Sequence, residues 1–163
     1  MDRKYFIRIG SKELTPLQFA VHVSALCLLA LLGIQAAMGN LSINPVQMSE
    51  QRTGRYAVYY LILTLACTPL NAVFGFRQAI KVRRSLGLYA FFFAAIHLWI
   101  FVALDYGLDF RLLLADVGNK KYILAGVITF LILTPLALTS SNWWKKTLRK
   151  AWKRLHQLVY LAS

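Results

Sequence analysis

The chain has 163 residues, 58% of them apolar and 15% charged, with a mean hydropathy of +0.54 and 19 Lys and Arg against 6 Asp and Glu. A water-soluble domain of this size carries about a quarter charged residues, so the composition excludes an ordinary soluble enzyme. The net charge of +13 would ordinarily suggest nucleic acid, but long uncharged stretches separate the basic residues, which makes them a topology signal.

No Asp, Glu, Lys or Arg occurs in residues 14–49, 56–76, 85–104 or 122–144, windows of 36, 21, 20 and 23 residues. Each has room for a bilayer-spanning helix of about 20 residues. The opening segment carries Arg3, Lys4, Arg8 and Lys12 like a signal peptide. Its apolar stretch is too long and no small-residue cleavage site follows, so it reads as a retained first helix. Gly39, Asn40, Asn44 and Pro45 are turn formers that close this helix after Met38. The predicted spans are 15–38, 55–75, 85–105 and 121–140. Beyond them, the run from Trp143 to Leu155 places apolar residues at 144, 148, 151, 152 and 155, the pattern of a helix lying in the headgroup layer. The segment from His156 to Ala162 then turns apolar, so the tail is either an interfacial helix or a fifth span cut short.

The N-terminus, the 75–84 loop and the tail together hold 14 Lys and Arg, whereas the 39–55 and 105–121 segments hold 5. The positive-inside rule puts both termini and the 75–84 loop in the cytoplasm of a bacterial inner membrane. Anionic lipid is the natural partner of such basic ends, and a nucleic-acid role is set aside. Reporter fusions after Gly75 and after Ser163 are expected to read cytoplasmic, and fusions near Asn44 and Asp116 periplasmic. A periplasmic C-terminus would overturn this orientation.

Motifs of soluble enzymes are absent: no Gly-rich phosphate loop, nucleophile elbow, His-Glu-x-x-His or Cys-x-x-Cys-His. Cys27 and Cys67 sit singly in separate spans as small apolar side chains. The span interiors lack carboxylates, which argues against a transporter built on intramembrane Asp or Glu. Thr68-Pro69 and Thr134-Pro135, each near the cytoplasmic end of a span, read as packing kinks whose Thr hydroxyls bond back to the helix.

Three histidines remain: His22 in the first span, His97 in the third and His156 in the tail. A ring nitrogen in hydrocarbon needs a partner, either a cofactor or a group on a neighbouring helix. For His156, beside the headgroups, water or lipid phosphate is a further partner. Gly87, Ala90, Ala94 and His97 follow at steps of 3, 4 and 3 and form one stripe of the third helix. Small residues beside a histidine leave a trough for a flat macrocycle, or let two helices approach closely.

Arg52-Thr53-Gly54, Arg83-Arg84-Ser85-Leu86-Gly87-Leu88-Tyr89-Ala90 with His97-Leu98, Leu133-Thr134-Pro135-Leu136, and Arg154-Leu155-His156-Gln157-Leu158-Val159-Tyr160-Leu161 resemble blocks of the ferric reductase-like transmembrane family. The likeness runs from about residue 15 to the C-terminus and is nearest to a bacterial branch of haem-binding membrane subunits that serve a periplasmic methionine sulfoxide reductase. It implies haem b, one or two per chain, with His97 and His156 as axial ligands. It also implies electrons drawn from quinol or a flavin such as FMN, and a periplasmic molybdenum enzyme as partner. The family has a further histidine three to four turns after the position of His156, beyond Ser163, so the single domain of residues 1–163 reads as shortened relative to the family.

At 1.5 Å per residue, His97 lies roughly 20 Å above Arg84, His156 about 3 Å past Arg154 and His22 about 12 Å in from Glu13. Two ligands of one iron need nearly equal depth, so His97 and His156 do not pair on this topology. The expected architecture is an all-α polytopic membrane bundle with four full spans plus a C-terminal interfacial or truncated helix. The expected function is electron transfer by a subunit of an oxidoreductase, with substrate chemistry in a partner. The alternative is a structural subunit of a larger membrane complex that holds haem or a chlorophyll-type pigment, or has lost its cofactor.

Overall fold

In the computed structural model, residues 7–9, 12–38 and 44–161 are described. Arg3, Lys4, Gly39, Asn40 and Ser163 of the sequence reading lie outside them. A short antiparallel pair, Ile7–Ile9 against Lys12–Leu14, precedes the first helix. This pair was not expected, and it is the sole addition of strand to an otherwise helical chain among the described residues.

Helix α1, Pro16–Ala37, begins on a reciprocal cap. Thr15 Oγ1 accepts from the Gln18 backbone N–H at 3.3 Å, and Gln18 Oε1 accepts from the Thr15 N–H at 2.9 Å. Helix α2, Pro45–Phe74, starts ten residues before the predicted 55, capped by Asn44 and with Pro45 in its first turn. It ends at Gly75, whose φ of 64° suits a residue without a Cβ. Helix α3, Arg77–Ile100, starts eight residues before the predicted 85 and runs on through a π turn, Phe101–Asp105. Both early starts have one cause. Charges at Glu50, Arg52, Arg55 and Arg77 to Arg84 mark where the helix leaves hydrocarbon, and a helix need not end there.

The predicted 105–121 loop contains a further helix, α4, Phe110–Asn119, whose N-cap Asp109 accepts from the Arg111 and Leu112 N–H groups. Asp116 on α4 accepts from Tyr106 at 2.5 Å and Lys120 at 2.6 Å. The bond from Lys120, then that from Tyr106, holds the Asp116 carboxyl below the usual carboxylate range. Helix α5, Lys121–Leu138, is the fourth span. Helix α6, Asn142–Gln157, is capped by Ser141 and bends at Arg149, where φ is 45°, before a final 3-10 turn, Leu158–Leu161.

Of the two Thr-Pro pairs, Thr134 bonds back as expected, its hydroxyl donating to the Phe130 carbonyl at 2.8 Å. Thr68 does not: its hydroxyl is buried and has no hydrogen-bond partner.

Helices α2 and α3 form an antiparallel hairpin, with Phe93 wholly buried between Tyr56 and Tyr60 at ring-centroid distances of 5.5 Å. Helix α1 packs on one side of α3 and α5 on another. Gln18 at the start of α1 reaches the Lys81 carbonyl near the start of α3, while Arg52 at the start of α2 meets Gln35 near the end of α1. The first, third and tail helices therefore share one end of the bundle, as four spans demand. At most 22% of the most apolar window of any span is buried inside the protein, so the remaining apolar surface must face lipid. The chain is a multi-pass helical membrane protein.

Candidate functional site

The three histidines each have a different neighbour. His22 of α1 meets the Tyr89 hydroxyl of α3 through Nδ1 at 2.6 Å, and the two rings pack edge to face. Two residues on, Ser24 meets the Tyr60 hydroxyl at 2.8 Å. His22 thus has the neighbouring-helix partner that an intramembrane imidazole requires.

His97 lies in the last turn of α3, with Nδ1 2.9 Å from the Glu50 carbonyl of α2. Its ring lies flat on Gly54, where an added Cβ would come within 3.1 Å of Nδ1 and 3.2 Å of Cε1. At the other end of the same stripe, a Cβ on Gly87 would meet Thr64 of α2 at 3.5 Å. The hairpin register that sets Gly54 on His97 and Thr64 on Gly87 also sets Ala57 opposite Ala94 and Leu61 opposite Ala90. Ala90 is accordingly only 1% exposed. The Gly87, Ala90, Ala94 stripe is therefore a close helix seam and not an open trough. Residues 54, 57, 61 and 64 repeat the same 3, 4, 3 spacing on α2, a signal available in the sequence.

The open space lies one face over. A cavity of 570 Å³, within the range of about 300–1,000 Å³ that small-molecule sites occupy, opens between α3, α5 and α6. Gly87, Phe91, Leu133, Leu136 and Trp152 form much of its apolar wall, and His156 is also on its lining. Arg83, Arg84 and Lys145 stand on its lining, with no carboxylate among the described lining residues. A wall that carries Arg83 and Lys145 suits an anionic ligand. The orphan hydroxyl of Thr68 follows Leu61 and Thr64, two lining residues, along the same stripe of α2.

Within α6, His156 Nδ1 lies 3.1 Å from the Trp152 carbonyl, and the Leu136 carbonyl of α5 also meets the ring. Burial pushes the His156 pKa down, the two carbonyls pull it partly back, and Arg83 lowers it further. Neutral imidazole is the form that ligates metal, and this burial disfavours the charged ring. Gly87, on the cavity lining with His156, precedes His97 by ten residues on α3, a rise of about 15 Å. The structure thus keeps His97 and His156 at separate depths. Among the described residues no group of three or more His, Cys, Asp or Glu side chains could hold a metal ion.

These features define a membrane helix bundle with single histidines on packed helices and a cation-lined cavity at its basic end. The family described as Ferric reductase like transmembrane component matches residues 53–163. The protein-methionine-sulfoxide reductase heme-binding subunit MsrQ of Xanthomonas euvesicatoria pv. vesicatoria (strain 85-10) is 40% identical over 146 residues, 86% of this chain and 67% of the relative. The subunit of the same name from Xanthomonas campestris pv. campestris (strain 8004) is 40% identical over 147 residues with the same coverage. That of Brucella anthropi is 40% identical over 126 residues, 77% of this chain and 57% of the relative. No solved structure is significantly similar to the chain. The chain belongs to the ferric reductase-like transmembrane family, in the branch that its Arg-Arg and Leu-His blocks indicated.

Proposed function

We propose that this chain is a haem b-binding subunit that carries electrons across the bacterial inner membrane, from quinol or FMN on the cytoplasmic side to a periplasmic methionine sulfoxide reductase. The observation that carries this reading is the cavity: its size, its apolar wall, and the presence of His156, Arg83 and Lys145 on its lining. These residues fit a haem. His156 would supply an axial nitrogen, Arg83, Arg84 and Lys145 would neutralise the propionates, and Phe91, Leu133 and Leu136 would exclude water. Bound haem supplies a one-electron carrier whose potential follows its ligands and the dryness of its surroundings. His97, at the opposite end of α3, is the candidate ligand for a second site on the periplasmic side. In this reading the chain is the conduit and substrate chemistry falls to the partner.

Purified protein should show the reduced-minus-oxidised bands of low-spin haem b. His156→Ala should remove or convert to high spin the haem of the cavity, and His97→Ala should do the same to a periplasmic-side haem. A protein with red-absorbing pigment bands, or a colourless one that takes up no hemin, would overturn the reading. Haem content and spin state indifferent to both substitutions would do so as well.

A further inference from the structure

His156 is not held by its own helix turn alone. The Trp152 indole stacks on its ring at a centroid distance of 4.0 Å and 27° from parallel. The Trp152 carbonyl takes the Nδ1 side of the same ring at 3.1 Å. The indole is itself pinned, since its Nε1–H donates to the Thr139 carbonyl at the end of α5, 3.0 Å away. A carbonyl one helical turn back is available to many helical histidines, but a pinned aromatic face is not. The carbonyl can only accept, so Nδ1 carries the proton. The stack then restricts rotation about χ2, which is otherwise broad for an imidazole. Because the pin runs to α5, which supplies the facing wall at Leu133 and Leu136, the ring is referenced to both sides of the cavity.

We propose that Trp152 is a positioning residue that holds His156 in one tautomer and one ring plane for ligation across the cavity. This rests on the reading of His156 as an iron ligand. Loss of an outer partner of a metal-bound histidine typically costs 10–100-fold in affinity, and a freed ring plane spreads the low-spin EPR signal of ferric haem.

The test uses the full chain in detergent, with hemin titration and EPR on Trp152→Met, Trp152→Leu, Trp152→Phe and His156→Ala. Met and Leu keep apolar bulk but lack the flat face and the N–H. Either is expected to weaken hemin binding about 10–100-fold and broaden the low-spin signal, with helical content unchanged. Phenylalanine keeps the face and should restore most of both. A purely structural role in docking α6 would lower thermal stability yet leave the signal of the bound haem at its wild-type shape, and that result overturns the proposal. If His156→Ala changes neither affinity nor signal, the ligand reading itself falls. If His156→Ala abolishes the signal while Met and Leu behave as wild type, only the role of Trp152 falls. Met and Leu are alternatives, so one that folds suffices.

Discussion

Gly54→Leu is expected to force α2 and α3 apart and to be the most damaging single substitution at the His97 end of the bundle. The imidazole of His97 lies against Gly54 so closely that a bare Cβ would already sit 3.1 Å from Nδ1. A branched side chain has nowhere to go on a seam whose next layers are Ala57 with Ala94 and Leu61 with Ala90. Overpacking of this kind costs about 1–3 kcal/mol. Here it also drives His97 from the Glu50 carbonyl, leaving a polar ring without its partner. Gly54→Ala separates the two effects. It gains up to about 1 kcal/mol of helix propensity and needs only a few tenths of an ångström from the ring, so it should be near neutral. Thermal unfolding in detergent reads the difference, and a leucine variant as stable as wild type would show that the seam is loose.

Gly87→Phe is expected to have the opposite profile: an intact bundle that no longer takes up haem in the cavity. Gly87 stands where the seam and the cavity meet. A Cβ there meets only Thr64, at 3.5 Å and 3.9 Å, which is ordinary van der Waals contact. The helix pair therefore tolerates a side chain at this position, and a large one must project into the 570 Å³ space facing His156. Gly87→Ala should keep haem and gain up to about 1 kcal/mol in helix propensity. Gly87→Phe should keep the helical content and melting of the apo protein while hemin titration shows no uptake at this site. Wild-type uptake in the phenylalanine variant would place the haem elsewhere.

The outcome at the small-residue stripe shows where sequence reading reaches its limit. Spacing placed Gly87, Ala90, Ala94 and His97 on one face, and the structure has them there. Such a stripe reports that something flat or close approaches, but not whether that is a macrocycle or a helix. The answer lay 23 to 43 residues away, in the matching Gly54, Ala57, Leu61 and Thr64 of α2, and only the hairpin register joins the two. Helix ends were misjudged for a simpler reason. Charges at Glu50, Arg52 and Arg77 mark the edge of hydrocarbon, whereas the ends are set by the caps at Asn44 and Gly75. Helix α4 was overlooked because Arg111 and Asp116 break its apolar run, although Asp109 followed by Phe110, Leu113, Leu114 and Val117 carries a cap and a helical period.

The sequence by itself determined the class of fold, the number of spans and the family. Uncharged windows of 20 residues or more have no stable home but a bilayer, and the Arg-Arg and Leu-His blocks are specific in combination. It also separated His97 from His156, because helical rise converts residue number directly into depth. Tertiary structure alone decided what each histidine faces: Tyr89 for His22, Gly54 and the Glu50 carbonyl for His97, and a cation-lined cavity beneath Trp152 for His156. Depth along a helix is a one-dimensional quantity fixed by local geometry. Which side chain meets which across a seam depends on how helices distant in sequence rotate and register against each other, and that is settled by packing of the whole bundle.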